Sequence, residues 1–455
     1  MTYFNTNYVS LVSKKTTNEI SKWTSVLANK QNINIDTIIG KYKEYICNYI
    51  DISINKYDIV FTIGCCKSHN FIIKLLVEQL SNSSNSSNSS NISKKKKHII
   101  LSAIDDISII NYCKALEKNN IISISFVVPN KMGIIEIDDI KKLVNDNTIL
   151  INIPHSNGEL GTINNTKEIG DFCKSKNILY YCNIEHIFGR NKINLNTSNI
   201  NFISLSFDKL NGPSDIGILF IKKKSIANAE KIINSSNYYL LNIKKSIPVI
   251  LGSLASLLDI SKNRDEKNKK IQDLKNKFIS SLNTILPIIN YIDYLSMYNQ
   301  SIIKLSIIMF KPKLNSQAIK NIICFSIFSI KKRICIKKIK KYLSDNNIIL
   351  SNISESILDN IKMDSVIKRG LISISIDDFI KVSDISKLIK NLVDAISIQY
   401  PTIYDEIKDN IITKKILESK KNKKVVRFSS PIFHILTIKK KINIENRKIK
   451  GILIK

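Results

Sequence analysis

Ser204-Leu-Ser-Phe-Asp-Lys-Leu-Asn-Gly-Pro-Ser-Asp-Ile-Gly217 sets one lysine, Lys209, in a short turn between two apolar runs. Asn201 to Leu205 and Ile216 to Ile221 both read as strands, and Gly212-Pro213 supplies the turn between them. Such an arrangement holds an amine where a carbonyl cofactor can condense with it. It also describes a surface lysine in a hairpin, and the residues upstream bear on the choice.

Upstream, residues 15–55 read as mostly helical and Tyr57 to Ile63 as a strand. That strand ends in Gly64-Cys-Cys-Lys-Ser-His-Asn70, followed by an apolar helix from Phe71 to Leu80. Further strands are expected at His98–Ala103, Ile121–Val128, Thr148–Ile153 and Ile178–Cys182. Helices at Ile109–Lys118, Ile137–Val144 and Lys167–Lys176 separate them. Strands alternating with helices of this length predict an α/β fold with a doubly wound, mostly parallel sheet. Ligands in such sheets bind beyond the carboxyl ends of the strands. The loops at Gly64, Asp105, His155, Asn183 and Asp208 all fall there, which predicts one composite site.

The 455 residues suffice for more than one compact unit. Residues 1–245 are expected to form a large cofactor-type domain and residues 246–400 a smaller α+β domain, opened by one long helix from Ile250 to Leu286. Residues 401–455 are expected to be a basic, flexible tail, with fifteen basic and five acidic residues. Ser81-Asn-Ser-Ser-Asn-Ser-Ser-Asn-Ser-Ser-Asn91, closed by Lys94 to Lys97, is a low-complexity insert (81–97) with nothing to bury, expected to be disordered.

No apolar run approaches the roughly 18 residues of a membrane span, and the start Met1-Thr-Tyr-Phe-Asn-Thr lacks the basic and apolar regions of a secretory signal. A cytoplasmic location and no membrane partner are expected. The eight cysteines show no Cys-x-x-Cys pair and no zinc spacing, so they read as small buried hydrophobes in a reducing compartment. The net charge of +31 allows non-specific nucleic-acid binding, but the basic residues lie among Ile and Asn rather than in a recognition motif.

Four segments in order resemble the cysteine desulfurase (NifS-like) branch of the class V aminotransferases, pyridoxal-phosphate enzymes of fold type I. Thr148-Ile-Leu-Ile-Asn-Ile-Pro-His-Ser-Asn-Gly-Glu-Leu-Gly-Thr162 is similar to a strand ending in His-Val-Asn-Asn-Glu-Ile-Gly. Lys167 to Tyr180 resembles the helix and strand that follow it. Cys182-Asn-Ile-Glu-His-Ile-Phe-Gly189 resembles Asp-Ala-x-Gln-x-x-Gly, and Ser206-Phe-Asp-Lys-Leu-Asn-Gly-Pro213 resembles Ser-Gly-His-Lys-x-x-Gly-Pro. The Ile-, Asn- and Lys-rich usage is similar to that of viral NifS-like proteins.

The resemblance implies pyridoxal 5'-phosphate as cofactor, with Lys209 as the Schiff-base lysine and Ser206 gripping the phosphate. It implies a homodimer as well. It also exposes departures. Asn183 stands where the family has the aspartate that keeps the pyridine nitrogen protonated, and His186 where it has a glutamine near the phenolic oxygen. Asp106 replaces the ring-stacking histidine, Cys66 a phosphate-binding threonine, Gly158 the second asparagine, and Asp208 the histidine before the lysine. The catalytic-cysteine loop falls on Asn347 to Ser356, placing Ser356 or a neighbour where the thiol belongs. Ser373 stands where the substrate-clamping arginine belongs. A serine hydroxyl cannot carry sulfur as a persulfide, so ordinary desulfuration is not expected.

In the tail, Lys423-Lys-Val-Val-Arg-Phe-Ser-Ser-Pro-Ile-Phe-His-Ile-Leu436 resembles the docking segment of protein phosphatase 1 regulators. Val426 and Phe428 would face one side of an extended strand and fill two pockets while the backbone adds to a sheet edge. An ordinary edge strand fits the same residues. Three functions stay open: amino-acid chemistry other than persulfide formation on Lys209, a non-catalytic scaffold recruiting the phosphatase, and charge-driven nucleic-acid binding.

Overall fold

The structure, a computed structural model, describes residues 1–28, 34–83, 96–226, 243–297, 305–312, 314–329, 334–409 and 411. The chain opens with β1 (Thr2–Phe4), α1 (Lys14–Ala28) and α2 (Ile35–Tyr49). There follow β2 (Tyr57–Thr62), α3 (Cys65–Ser83), β3 (Lys97–Ser102), α4 (Ile107–Lys118), β4 (Ile122–Val127), α5 (Ile137–Leu143) and β5 (Thr148–Asn152). A small hairpin of β6 (Ser156–Asn157) and β7 (Thr162–Ile163) precedes α6 (Thr166–Ser175), β8 (Leu179–Asn183), β9 (Phe202–Ser206) and β10 (Gly217–Lys222). Next come α7 (Ile243–Lys262), α8 (Arg264–Ile285), β11 (Ile288–Asn290), α9 (Tyr291–Met297), β12 (Leu305–Phe310) and β13 (Ile322–Ser329). The described elements end with α10 (Ile336–Asp345), β14 (Ile348–Leu350), α11 (Glu355–Asn360), α12 (Ser365–Gly370), β15 (Leu371–Ser375) and α13 (Val382–Gln399).

Seven strands form the main sheet in the order β2-β10-β9-β8-β5-β3-β4. β10 alone runs opposite to the other six strands. Successive strand residues face opposite sides, and each side has its own core. Ile100, Ile151, Tyr180, Cys182, Ile203 and Leu205 pack with Ile46, Ile169 and Ile250 from α2, α6 and α7. Their strand neighbours Ile99, Leu101, Leu150, Tyr181 and Phe202 pack with Phe71, Ile72, Ile109 and Cys113 from α3 and α4. Burial on both faces explains why these strands read as apolar runs rather than alternating ones. This is the α/β, doubly wound, mostly parallel sheet expected.

A second, four-stranded sheet, β11-β12-β13-β15, is mostly antiparallel. α8, α10 and α13 pack against it around Phe278, Phe325, Leu343 and Leu388. The amino terminus joins this region: β1 pairs with β14 in parallel, and Phe4 is fully buried in the same core.

Several expected boundaries move. α3 starts at Cys65 rather than Phe71, so the Gly64 loop meets a helix N-terminus directly. The single helix expected from Ile250 to Leu286 is two, separated at Asn263. Residues 401–409 are helical rather than tail-like, because Ile403 and Ile407 find apolar neighbours in the second core. Of the low-complexity insert, Ser81–Ser83 still belong to α3 and β3 begins at Lys97; residues 84–95 lie outside the described residues, as do Val426 and Phe428. The cysteines are free, and all but Cys66 and Cys335 are buried. Among the described residues no helix is long and apolar enough to cross a membrane.

Candidate active site

The carboxyl ends of the central strands open into a cavity of about 730 Å³. Asp105 and Asp106 reach it from the end of β3, Ser156, Gly158 and Glu159 from the region after β5, Asn183, Glu185 and His186 from β8, and Lys209 from β9. Asn352, Ser354 and Ser356 close it from the second sheet's region, and Asn5, Asn7 and Tyr8 from the amino terminus. Of the residues singled out in sequence, Lys209, Asn183, His186, Asp106 and Gly158 therefore share one cavity, and Ser356 lies in its wall.

Ser206 and Cys66 sit beside it. Gly64 adopts φ +88°, a conformation that glycine takes without strain, and turns the chain so that the Cys65 N–H donates to Ser206 Oγ at 2.9 Å. The first turn of α3 thus lies against Ser206, a position suited to an anion. Cys66 Sγ accepts from Ser108 Oγ at 2.9 Å, and burial pushes its thiol up to about 12.

Lys209 is largely buried and its amine is fully engaged. Nζ donates to the Tyr8 carbonyl oxygen, pairs with Asp208 Oδ2 at 3.0 Å and lies 5.5 Å from the Tyr8 ring centre. Burial alone would lower its pKa. The carboxylates of Glu185 and Asp208 outweigh that, and the net shift is upward. A Schiff-base lysine must reach the neutral amine to attack a carbonyl; these neighbours favour the ammonium.

Asn183, at the end of β8, accepts from Cys65 Sγ at 3.3 Å and from the Glu185 N–H at 3.0 Å, and its amide donates to Glu185 Oε1 at 3.2 Å. Glu185 Oε1 also lies 3.4 Å from His186 Nε2. Burial lowers the pKa of His186 and favours its neutral form. Its ring occupies the room beside Gly158, since a Cβ at position 158 would lie 2.2 Å from His186 Nδ1. A side chain at 158 and the ring at 186 would thus compete for one volume. Asp106 caps α4, accepting from the Ser108 N–H at 2.8 Å. Asp105 accepts from the Asp106 N–H and the Asn152 amide, at 2.8 and 2.7 Å, and burial raises its carboxyl to about 7.

The wall from the second sheet is fastened by Glu159, whose carboxylate accepts from the Ser354 N–H and hydroxyl at 2.5 and 2.9 Å. Ser373 is buried and donates to the Glu159 carbonyl at 3.0 Å, so it offers nothing to a substrate carboxylate. Arg190, buried nearby, makes two hydrogen bonds to Asp377 at 3.0 and 2.9 Å and one to the Lys209 carbonyl at 2.9 Å. The amino-terminal strap is held by Asn7, which donates to the Gly158 carbonyl at 2.7 Å and accepts from Ser351 at 2.6 Å, and by Ser10, bonded to the Asp208 carbonyl.

Sequence reading missed Glu185, Arg190 and the strap, whereas Asp105, expected at the composite site as the loop after a strand, does line the cavity. Asp106, standing directly before the apolar start Ile107 of α4, could have been identified as a helix cap, since Asp in that place accepts from first-turn N–H groups. Nothing in the sequence pairs Tyr8 with a lysine 201 residues away.

The sequence profile of the aminotransferase class-V family matches residues 11–241, just over half of the chain, and the chain belongs to that family. The cysteine desulfurase IscS of Rickettsia prowazekii (strain Madrid E) is 30% identical over 230 residues, 50% of this chain and 53% of that one. The IscS of Plasmodium falciparum (isolate 3D7) is 30% identical over 218 residues, 47% of this chain and 38% of its own length. The chain thus spans about half the length of the curated relatives it matches. Among solved structures, a NifS-like protein superposes with a TM-score of 0.69 at 19% identity, covering 87% of this chain and 99% of the other. The apo cysteine desulfurase of Thermococcus onnurineus NA1 superposes with 0.61 at 14% identity, covering 86% and 93%. At these identities the superpositions establish the fold, that of NifS-like fold-type-I proteins.

Proteins of this family ordinarily bind pyridoxal phosphate, but the residues present here do not fit it held in the family's manner. Its phosphate would lie near Ser206 and the first turn of α3, which suit an anion; the obstacle is at the ring. Its ring would meet Asp106 in place of an imidazole face, with the Glu185 carboxylate bonded to the amide at its nitrogen position. Against the carboxylates of Asp106, Glu159 and Glu185, the cavity offers Lys114 and Lys209 as cations. A dianionic cofactor entering that wall is opposed by charges it cannot screen.

Proposed function

We propose that the protein is a non-desulfurating member of the NifS-like branch that keeps the cleft as a ligand-binding site and performs no Schiff-base chemistry on Lys209. The observation that carries this reading is the placement of the Lys209 amine, held by the Tyr8 carbonyl and Asp208. Lys209 then acts as a latch for the amino-terminal strap rather than as a nucleophile. The thiols support the same reading. None lines the cavity, and Cys66, the half-buried thiol nearest it, has a pKa of about 12 and so almost no thiolate at neutral pH.

The test is absorbance. After incubation with pyridoxal phosphate and gel filtration, the protein should retain no visible band, and it should release no sulfide from cysteine. A retained band abolished by Lys209→Ala would overturn the reading. The same reading includes a homodimer, supported by the exposed apolar side chains of Tyr8, Val9, Leu11 and Val12; sedimentation velocity tests it. Recruitment of protein phosphatase 1 rests on the tail sequence around Val426 and Phe428, and loss of phosphatase pull-down on their joint replacement by alanine tests it.

A further inference from the structure

The cleft's charge runs against the rest of the chain. The protein carries 69 basic and 38 acidic residues, yet the cavity wall brings together the carboxylates of Asp106, Glu159 and Glu185, with the buried carboxyl of Asp105 beside them. The cations in that wall are already engaged or peripheral. Lys209 is tied to Tyr8 and Asp208, and Lys114 is exposed and lies over the Phe126 ring at 5.5 Å. A second, independent feature is the set of buried polar atoms without a partner among the described residues. Ser156 lines the cavity, is 2% exposed, and its hydroxyl is unpaired; Asn5, also in the wall, has an unpaired Oδ1. Buried polar atoms in folded proteins are nearly always satisfied, so unpaired ones in a cavity wall call for a ligand or water to complete them. Asn5 Oδ1 can only accept, and Ser156 Oγ can accept. Ser156 can also donate, and His186 Nδ1, unpaired in the same wall, can take either role, so it is the carboxylates that tip the wall toward a cationic donor.

We infer that the cleft binds a small organic cation, an aliphatic di- or polyamine whose ammonium groups are received by Glu185 and Asp106 and completed by Ser156. An ammonium supplies three donors and a charge in one group, while its methylenes suit the apolar part of the same wall, Ile104, Ile107, Ile110 and Ile357. An inorganic cation fits less well, because no cluster of three or more ligating side chains suited to a metal occurs among the described residues. The inference rests on the reading that Lys209 forms no Schiff base, and the test separates the two.

The experiment is calorimetric titration of the full chain with putrescine and with spermidine, with pyridoxal phosphate and calcium as comparison ligands. A protein of net charge +31 repels polycations in general, so saturable binding reports a local site. Expected is one-to-one binding of an amine, weakened about tenfold by Glu185→Gln and several-fold by Asp106→Asn. Asparagine still caps a helix, so the second variant keeps the fold should the first not; melting curves without ligand verify this. Absence of saturable amine binding at millimolar concentration overturns the inference, as does unchanged affinity in both variants or binding of calcium in preference. A Lys209-dependent aldimine band removes the reading beneath it as well; no band and no amine binding removes this inference alone.

Discussion

The interior of the main sheet and its carboxyl edge are built from the same strands but tolerate change very differently. Inside, Ile99, Ile100, Leu150, Ile151, Phe202 and Ile203 need only be apolar and of suitable size to fill two cores, and many sequences meet that requirement. At the edge, a few ångströms further along the same strands, chemistry depends on particular atoms. There Asn183, Glu185, His186, Asp106 and Asp208 each bring a particular charge or donor to a particular place. Packing is a collective property and survives drift, whereas a reaction needs each group in place. A fold can therefore outlast its chemistry.

The sharpest way to break this contrast is at Arg190 and Asp377, which join the edge to the second sheet. Arg190→Ala strands a buried carboxylate and should cost about 3–5 kcal/mol in denaturant unfolding, whereas replacing both by apolar residues should recover most of it. Burial would raise the Asp377 carboxyl, but Arg190 more than reverses this. If single and double replacements cost the same, the pair is not the tie described.

Asp105 gives the next effect. Its folded pKa, raised by burial to about 7 from 3.8, means that the native state holds its proton more tightly than the unfolded chain. Its contribution is therefore fully present below about pH 4 and is lost as pH rises toward 7, with a slope of at most ~1.4 kcal/mol per pH unit. His69 and His155, both lowered to about 4 by burial, act in the opposite sense between pH 4 and 6.5. The measurement is thus the difference between wild type and Asp105→Asn. Relative to the variant, wild type should lose stability between pH 4 and 7 and level off above. A flat difference would show that this carboxyl is not desolvated.

Two glycines sharpen the comparison further. A Cβ on Gly170 in α6 would lie 1.7 Å from the backbone carbonyl oxygen of Ser198, and one on Gly158 would meet the His186 ring. Each alanine substitution should cost about 1–3 kcal/mol, with Gly170 at the upper end. Only the Gly158 penalty should be rescued by His186→Ala, since a side chain can be removed and a backbone cannot. Equal rescue at both, read from melting temperatures, would contradict the competition for one volume. The smallest effect belongs to the exposed end of the Lys15–Asp259 pair: Lys15→Ala should change stability by under about 1 kcal/mol, and less at high salt.

Legibility in the sequence follows the same division. The strands of the main sheet are readable because burial on both faces writes continuous apolar runs, and the order of Asn183, Ser206 and Lys209 is readable because each follows such a run. The start of α3 is not, since Cys65 to Asn70 carries no apolar period, and the break at Asn263 carries neither glycine nor proline. Glu185 is hidden between two residues that draw attention, and nothing local shows that its carboxylate is buried.

By itself, the sequence determined the alternation of strands and helices and the position of one amine at a strand's end, because these depend on local patterns or on residue identity. Only the tertiary structure decided what that amine touches. Tyr8 and Glu185 reach it from distant parts of the chain and join its neighbour Asp208, and a lysine's protonation follows from all the charges around it, not only from the residue beside it in sequence.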